Sequence, residues 1–286
     1  MSRRRELARR MEALSDIAGI MSAMKGLALM EMRILQEFLG SQRRMVAGIE
    51  AAARDFLAWH AGAGGEPVAG AGGLCVLVGS EQGFCGDFNE ALLAASQRLL
   101  DSPGAAPRRV VVGQRLAGRS AGSEDVDLAL PGAIVADEVP AVLLRLTREL
   151  GELLARGEPA ARSLSVVYHC DAAREVRLRR LLPLDAPPAP ADSPRHPAEL
   201  TLAPADFLSG LTRHYLHAVL NEVLYSSLMA ENRQRQAHMD RALQRLDEET
   251  QKLRLAWNRQ RQEEITEEIE VILLSAEMMG LAGQRQ

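Results

Sequence analysis

The sequence predicts a mixed α+α/β architecture, in which the N- and C-terminal helices form a long antiparallel coiled coil and a small α/β domain of Rossmann-like type is inserted between them. Two observations predict it. The stretch from Leu211 to Met279 holds no Gly or Pro over 69 residues and has apolar residues at helical spacing. All 13 prolines and most of the 23 glycines fall instead between Ala61 and Gly210, where short apolar runs alternate with helical stretches.

The first segment, residues 1–60, has no proline and predicts one long helix. Its apolar residues recur at steps of three and four, which marks one face of a helix. The predicted face consists of Leu7, Met11, Leu14, Ile17, Ile20, Met24 and Leu27. We expect this helix to be the shorter member of the coiled coil.

The middle segment, residues 61–210, predicts a sheet with helices between its strands. Apolar runs rich in β-branched residues predict strands at Leu74–Val78, Val110–Val112, Ala133–Val135 and Ser163–His169. The helices are predicted at Glu90–Leu100 and Ala141–Leu154. This alternation favours a largely parallel sheet. The proline-rich run Ala186–Pro197 predicts a surface loop or linker.

The last segment, residues 211–286, predicts a helix of roughly 100 Å, which is too long to fit inside a globule of this chain length and must project as a rod. Its apolar residues recur at steps of three and four, an average of about 3.5 residues per step, which predicts a left-handed supercoil with a partner helix. The N-terminal helix is the only other one of comparable length. The stripe consists of Leu216, Leu220, Val223, Leu228, Met239, Leu243, Leu246, Leu253 and Trp257, with Thr250 in the gap.

Two stretches of the C-terminal helix depart from this stripe. The segment Glu231–His238 is polar on nearly all sides, and beyond Trp257 the stripe changes register. The N-terminal helix is also too short to cover the whole C-terminal one, so part of the rod must meet another molecule. The sequence therefore predicts a mechanical or scaffolding protein. The apolar residues in the new register are Ile265, Ile269, Ile272 and Met279.

Composition disfavours several classes of function. Aromatic residues make up only 3% of the chain, which disfavours an aromatic-lined substrate pocket, and the net charge of −4 gives no general attraction to nucleic acid. Cys75, Cys85 and Cys170 are widely spaced, which supports neither a disulfide framework nor a zinc site and is typical of a reducing cytosol. No window approaches twenty uncharged apolar residues and no signal-peptide core is present, so we expect no direct membrane insertion.

Three segments invite a chemical interpretation. Gly79–Gly86 is a glycine-rich loop after a strand, but it lacks the Lys and Ser/Thr of a P-loop and favours a tight structural turn. His214 and His217 share a helix face without a third ligand nearby, which favours a solvated pair over a metal site. The glutamates of residues 263–270 are typical of a solvated helix face. We identify no nucleophile and base, and we expect no cofactor and no metal.

Segments from both termini and the middle resemble the gamma subunit of F-type ATP synthases. Trp257–Ile272, WNRQRQEEITEEIEVI, is similar to the family's C-terminal signature, which is an aromatic residue, Asn, a basic residue, Arg-Gln and then Ile-Thr with an acidic and apolar run. Ser80–Asn89, SEQGFCGDFN, is similar to its Ser-x-x-Gly-Leu-Cys-Gly-x-x-Asn segment. Ile20–Arg33 lies where the family has Ile-Thr-Lys-Ala-Met. The resemblance spans nearly the whole chain in the family's order.

The resemblance implies a non-catalytic rotor shaft. In that family the coiled coil turns inside a hexamer of alpha and beta subunits, and the α/β domain sits on the epsilon subunit and the membrane c-ring. Rotation couples ATP synthesis or hydrolysis on the hexamer to proton or sodium translocation. The implied location is the cytoplasmic face of the bacterial inner membrane, as a peripheral part of the complex.

The resemblance also implies the residues that contact the alpha/beta hexamer. Arg261, Gln262 and Thr266 match family positions at the catch loops of the hexamer, and Met24 and Lys25 match the facing position on the N-terminal helix. Gly19 and Ser22 stand where the family has basic residues, which suggests a divergent branch such as the alternative bacterial ATPase.

Two other classes of protein compete with this interpretation. A coiled-coil scaffold or signalling adaptor would share the helical periodicity, but it would have no reason to carry the Arg-Gln-x-x-Ile-Thr register. An enzyme would need a polar constellation in the α/β domain, and the sequence suggests none. The direction of ATP chemistry and the coupling ion are left open, since ion choice resides in the c-ring.

Overall fold

A computed structural model describes residues 2–60, 73–100, 108–122, 126–155, 163–184 and 199–283, so the proline-rich run Ala186–Pro197 lies outside the described residues. The chain divides into two compact units, residues 1–26 with 237–286 and residues 27–236. The elements in chain order are α1 (Ser2–Trp59), β1 (Leu74–Val78), α2 (Phe88–Leu100), β2 (Arg108–Val112), α3 (Gln114–Arg119), β3 (Val126–Leu130), a 3-10 turn (Ala136–Glu138), α4 (Val139–Ala155), β4 (Leu164–Cys170), β5 (Glu175–Leu182) and α5 (Pro204–Gly283).

The second unit contains a five-stranded mixed sheet with the strand order β3-β2-β1-β4-β5. β1 pairs in parallel with both β2 and β4, β2 pairs in parallel with β3, and β5 is antiparallel to β4. The largely parallel sheet is confirmed, as are the strands expected near Leu74–Val78, Val110–Val112 and Ser163–His169. The two predicted helices are confirmed as α2 and α4.

The strand predicted at Ala133–Val135 is wrong. The third strand of the sheet is β3, and residues 133–135 form the approach to the 3-10 turn. Their backbone groups bond locally, because the Ile134 amide donates to the Glu138 carboxylate at 2.7 Å. At the start of the turn, the Ala136 amide donates to the buried carboxylate of Glu31 on α1 at 2.5 Å. These backbone amides therefore find carboxylate acceptors, and the segment does not need the carbonyl groups of a neighbouring strand.

The sheet is covered on both faces. Along β1, alternate side chains point to opposite faces. Those of Leu74, Val76 and Val78 join a large apolar cluster with α1, α4 and α5, while those of Cys75 and Leu77 join a smaller one with Leu92 of α2 and Leu116 of α3. Burial on both faces explains the continuous apolar run of β1.

In each unit, α1 and α5 pack against one another in antiparallel fashion. In the second unit, the rings of Phe38 and Tyr225 stack at 5.4 Å and those of Phe56 and Phe207 lie 4.9 Å apart. In the first unit, Arg4 lies 3.0 Å from Glu264, and Lys25 forms an ion pair with Asp240. As residue numbers rise on α1, those of the partners on α5 therefore fall in both units. The predicted division at residues 60 and 210 stays a prediction.

The apolar face of α1 differs from the predicted one. Ile17, Ile20 and Leu27 are 43%, 63% and 62% exposed, whereas Ala18 and Met21 are partly covered. From Met11 to Ile20 the predicted stripe takes three successive steps of three residues. Such a run moves around the helix, whereas alternating steps of four and three stay on one face. The more covered positions follow that alternation as Leu7, Met11, Leu14, Ala18, Met21, Lys25, Ala28, Met32, Leu35 and Leu39.

One helical stretch, Arg3–Trp59, contains an 18-residue window with a mean hydropathy of 1.3, which is long and apolar enough to cross a membrane by length and composition alone. Core helices of soluble proteins and signal sequences pass the same test, so the window by itself identifies no membrane span. Only 6% of the window is buried, so its apolar residues form part of the surface of the folded chain.

The register of α1 can be tested with two neighbouring residues. Leu35 is fully buried, whereas Ile34 is 38% exposed. We expect Leu35→Ala to lower the free energy of unfolding by about 2–5 kcal/mol, since it leaves a cavity in the core. Ile34→Ala should lower it by less than about 1 kcal/mol. Urea denaturation of the full chain measures both, and equal losses would show that α1 presents a different face to the core.

Candidate interaction site

The five residues predicted to contact a partner all lie in the first unit. Met24 and Lys25 are half-buried on α1, and the Lys25 ammonium group is paired with the Asp240 carboxylate. Arg261, Gln262 and Thr266 are exposed on α5. The Lys25 charge is therefore already compensated within the chain, whereas Arg261 and Gln262 present polar groups to solvent.

Arg261 and Gln262 differ in how firmly they are placed. The Arg261 guanidinium carbon lies 5.9 Å from the ring centroid of Trp257, one helical turn earlier, and this cation–π contact orients the side chain. The Thr266 hydroxyl donates to the Gln262 carbonyl at 2.9 Å, so its hydrogen is used within the helix. Arg261 thus offers oriented donors, Gln262 a donor and an acceptor, and Thr266 an acceptor oxygen.

The structure does not bring Met24 and Lys25 opposite Arg261. Lys25 lies level with Asp240, which is 21 residues before Arg261 and so about 32 Å away along α5. The start of α1 is level with the Arg261 region instead, since Arg4 pairs with Glu264. The predicted contact residues form two separate places along this helix pair.

The apolar stripe beyond Trp257 is exposed, as the change of register predicts. Ile265, Ile269 and Ile272 are all about half exposed or more, while the positions nearest α1 continue through Gln260 and Glu264. The apolar surface extends around the helix just after the stripe. The further exposed residues there, which the sequence pattern did not single out, are Val271, Leu273 and Leu274.

The glycine-rich loop Gly79–Gly86 is built as a structural turn. A β-carbon at Gly79 would lie 2.4 Å from the Leu116 Cβ, so only glycine fits there. The Ser80 amide donates to the Asn89 side chain at 3.0 Å. The next two amides donate to the Glu231 carboxylate of α5, that of Glu81 at 3.2 Å and that of Gln82 at 3.1 Å. The amides that would bind a phosphate are therefore occupied by a side chain of the same protein.

Glu231 and Arg235 form a buried charged pair to which the sequence pattern assigns no role. Their side chains are 4% and 5% exposed and form an ion pair one turn apart on α5. Burial raises the pKa of the Glu231 carboxyl, while Arg235 and the two loop amides favour its charged form. The available signal was the polar run Glu231–His238, which interrupts the apolar stripe of this amphipathic helix.

Arginine side chains line a cavity of the second unit. Its volume is about 490 Å³, and its apolar walls include Met32, Leu39 and Met229. Arg33, Arg43 and Arg233 lie on it together with Asp171, which accepts from Arg43 through its carboxylate and from Arg233 through its backbone carbonyl. The excess of positive charge suits a carboxylate or phosphate group.

The remaining chemical candidates lie apart from one another. His214 and His217 are both exposed, and within the described residues no group of three or more His, Cys, Asp or Glu side chains could hold a metal ion. Cys75, Cys85 and Cys170 are free and buried. Burial raises the pKa of the Cys75 and Cys85 thiols to about 12, which keeps them protonated and unreactive at neutral pH.

Comparisons with known proteins agree with this architecture. Residues 3–279 match the sequence model of a family described as ATP synthase. The ATP synthase gamma chain of Chlorobaculum parvum is 26% identical over 217 residues, which cover 72% of this chain and 73% of that protein. The gamma chain of Chlorobaculum tepidum is also 26% identical, over 215 residues and the same shares of each chain.

Two solved structures share the fold. A chain from the central stalk and c-ring of the Tetrahymena thermophila mitochondrial ATP synthase has a TM-score of 0.56 at 16% identity, covering 78% of this chain and 99% of that one. A chain from the Euglena gracilis mitochondrial ATP synthase, in its OSCP/F1/c-ring structure, has a TM-score of 0.60 at 15% identity, covering 100% and 97%. Because the family match extends over nearly the whole sequence, this chain belongs to the gamma-subunit family of F-type ATP synthases.

Proposed function

We propose that this chain is the central rotor shaft of an F-type ATP synthase or ATPase. Its rotation couples ATP synthesis or hydrolysis on a hexamer of alpha and beta subunits to proton or sodium translocation through the membrane sector. The observation that carries the proposal is the family match over residues 3–279. The chain itself is a non-catalytic subunit and uses no cofactor.

The helix pair of the first unit supports the role of a shaft. The more covered positions of α5 alternate at steps of four and three through Met239, Leu243, Leu246, Thr250, Leu253, Trp257, Gln260 and Glu264. We infer that α1 and α5 form a left-handed antiparallel coiled coil, since this is the repeat that such a supercoil requires. Rigid paired helices are suited to carrying torsion between two partners.

The exposed surface of the first unit supports insertion into a protein sleeve. Half-exposed isoleucines would aggregate if they stayed in water, so a partner must cover them. Arg261, Gln262 and Thr266 lie beside this apolar surface and supply directional contacts to the alpha/beta hexamer in our proposal. Met24 and Lys25 make a second contact, about 32 Å from Arg261 along this helix pair. The division into shaft helices, residues 1–60 and 211–286, and a foot domain, residues 61–210, belongs to the same proposal.

The foot domain would dock on an epsilon subunit and the c-ring. The chain would then lie at the cytoplasmic face of a bacterial inner membrane without entering it. A peripheral position agrees with the two charged residues, Asp16 and Lys25, that lie within the apolar part of α1. No nucleic acid is among the proposed partners.

Copurification tests the proposal most directly. When the tagged chain is expressed in its own host, we expect alpha and beta subunits to be recovered with it in a fixed ratio of three each, as a hexamer around one shaft requires. Mass spectrometry of the purified complex measures the ratio. Recovery of the chain with an unrelated coiled-coil partner, and without these subunits, would favour a scaffold or signalling adaptor instead.

The donors on α5 can be removed without weakening the helix. We expect Arg261→Ala with Gln262→Ala to leave assembly intact and to reduce coupled ATP hydrolysis and ion pumping, because each desolvated contact is worth about 1–3 kcal/mol. Alanine preserves helix propensity. Glu248→Ala with Glu249→Ala, on an exposed face of the same helix, serves as the matched control. Equal, near-normal coupling in both reconstituted variants would show that Arg261 and Gln262 are not the contact.

The exposed isoleucines should have opposite effects in the free and the assembled protein. We expect Ile269→Gln with Ile272→Gln to make the isolated chain less prone to aggregate, since it removes exposed apolar area, and to weaken binding to the hexamer at least tenfold by losing about 2 kcal/mol of burial. Light scattering and a binding titration measure the two effects. Unchanged affinity of this variant would place the partner surface elsewhere.

A further inference from the structure

The carboxyl edge of the sheet has the geometry of a ligand site. β1 lies between β2 and β4, and both are parallel to it. From β1 the chain first adds β2 and β3 on one side of the sheet and then adds β4 and β5 on the other side, so β1 is the point at which the strand order switches direction. In open α/β sheets, ligands bind in the crevice at such a switch point. Here the crevice beside β1 and β4 holds a segment of α5, residues 226–235, whose polar side chains reach the ends of both strands.

The Glu231 carboxylate is bound as an oxyanion ligand would be. One oxygen accepts from the Glu81 amide at 3.2 Å, and the other accepts from the Gln82 amide at 3.1 Å and from the Arg235 guanidinium. Two successive backbone amides and an arginine are a common donor set for anions in proteins. The Cys85 thiol lies 3.9 Å from the second oxygen and closes the site.

Arg235 is held in place by more than its partner glutamate. Its guanidinium donates to the Asn232 side chain at 2.8 Å and to the Gly83 carbonyl at 3.4 Å. The charge is buried, so removal of the Glu231 carboxylate would leave an uncompensated cation facing two unpaired amides. These groups together would then form an empty site for a small anion.

The same helix segment is fastened to the sheet on both sides of the crevice. The Ser227 hydroxyl donates to the Val78 carbonyl, at the end of β1, at 3.3 Å. After β4, the Asp171 amide donates to the Ser226 hydroxyl at 3.1 Å, and the hydroxyl lies 2.9 Å from the Asp171 carboxylate. Among the described side chains of this segment, only that of Glu231 bonds to two successive loop amides. We therefore treat Glu231 as the ligand of the crevice, and Ser226 and Ser227 as contacts that hold the helix in place.

We propose that the crevice beside the carboxyl ends of β1 and β4 is a carboxylate-binding site, which Glu231 of the same chain occupies and through which α5 is locked to the glycine-rich loop. A free carboxylate of similar size, such as formate or acetate, replaces the side chain when Glu231 is truncated. The site itself does not depend on the rotor proposal. If the rotor proposal holds, this lock also carries torque between α5 and the sheet.

Chemical rescue tests the site. In the full chain with Glu231→Ala, we expect amide exchange in the peptide containing Glu81 and Gln82 to accelerate roughly a hundredfold, as expected when a buried pair is broken. Sodium formate should reverse most of this change, and sodium chloride at the same ionic strength should not. Hydrogen exchange with mass spectrometry measures both, at concentrations low enough to avoid aggregation.

Two further variants make the outcome decisive. Glu248→Ala, an exposed glutamate on the same helix, should show neither the acceleration nor the rescue. Glu231→Gln keeps the side-chain volume, so we expect faster exchange at the loop but no effect of formate, because the amide still fills the site. Acceleration without a formate-specific reversal in Glu231→Ala would overturn the proposal, as would unchanged protection of the loop amides.

Folding yield replaces exchange as the readout if Glu231→Ala does not fold in chloride. Formate should then raise the recovery of folded chain several-fold over chloride, and equal recovery in the two salts would overturn the proposal. None of these measurements involves ATP, alpha subunits or beta subunits. Failure of the carboxylate site would therefore leave the rotor proposal standing, and failure of copurification would leave the site standing.

Discussion

A helix of 80 residues cannot cover its apolar side chains by itself, and the structure of this protein depends on how α5 solves that problem. In the second unit, α5 packs against both α1 and the sheet, and Val219, Leu220 and Val223 are nearly or fully buried. In the first unit it packs against α1 alone, so only one narrow stripe is covered and the rest of its surface stays open. The amount of available partner surface thus decides which parts of one continuous helix are buried.

Where α5 reaches the strand ends, polar groups have to be satisfied. Parallel strands end in loops whose amides point toward the crevice, and an apolar side chain there would leave those amides unpaired at a cost of about 1–3 kcal/mol each. Glu231 satisfies two of them, and Arg235 compensates the charge that Glu231 brings into the core. The arrangement is stable only when complete, because a single buried charge without its partner destabilises strongly. This explains why a charged pair lies buried where α5 meets the strand ends.

Periodicity was sufficient to predict the long helices and most of the sheet, because their patterns extend over many residues. It failed where the most apolar residues do not lie on the covered face of the helix. Ile17 and Ile20 are more apolar than Ala18 and Lys25, yet the steps of four and three place the latter pair on the covered face. β5 went unpredicted because it is an edge strand with three arginines in eight residues, so it lacks a continuous apolar run. The contact of Glu231 with Glu81 joins residues 150 apart in sequence, and no local pattern records such a contact.

The open surface of the first unit combines two kinds of contact that differ in their dependence on angle. Apolar contact is non-directional, so the exposed isoleucines of α5 would be covered almost equally well in many orientations within an apolar sleeve. Hydrogen bonds need defined geometry, and the guanidinium of Arg261 is oriented by the Trp257 ring beneath it. A surface that combines both kinds would be retained by its partner at all angles but favoured at only some of them. That combination would suit the proposed shaft, because apolar contact holds it at every angle and an oriented donor such as Arg261 distinguishes one angle from another.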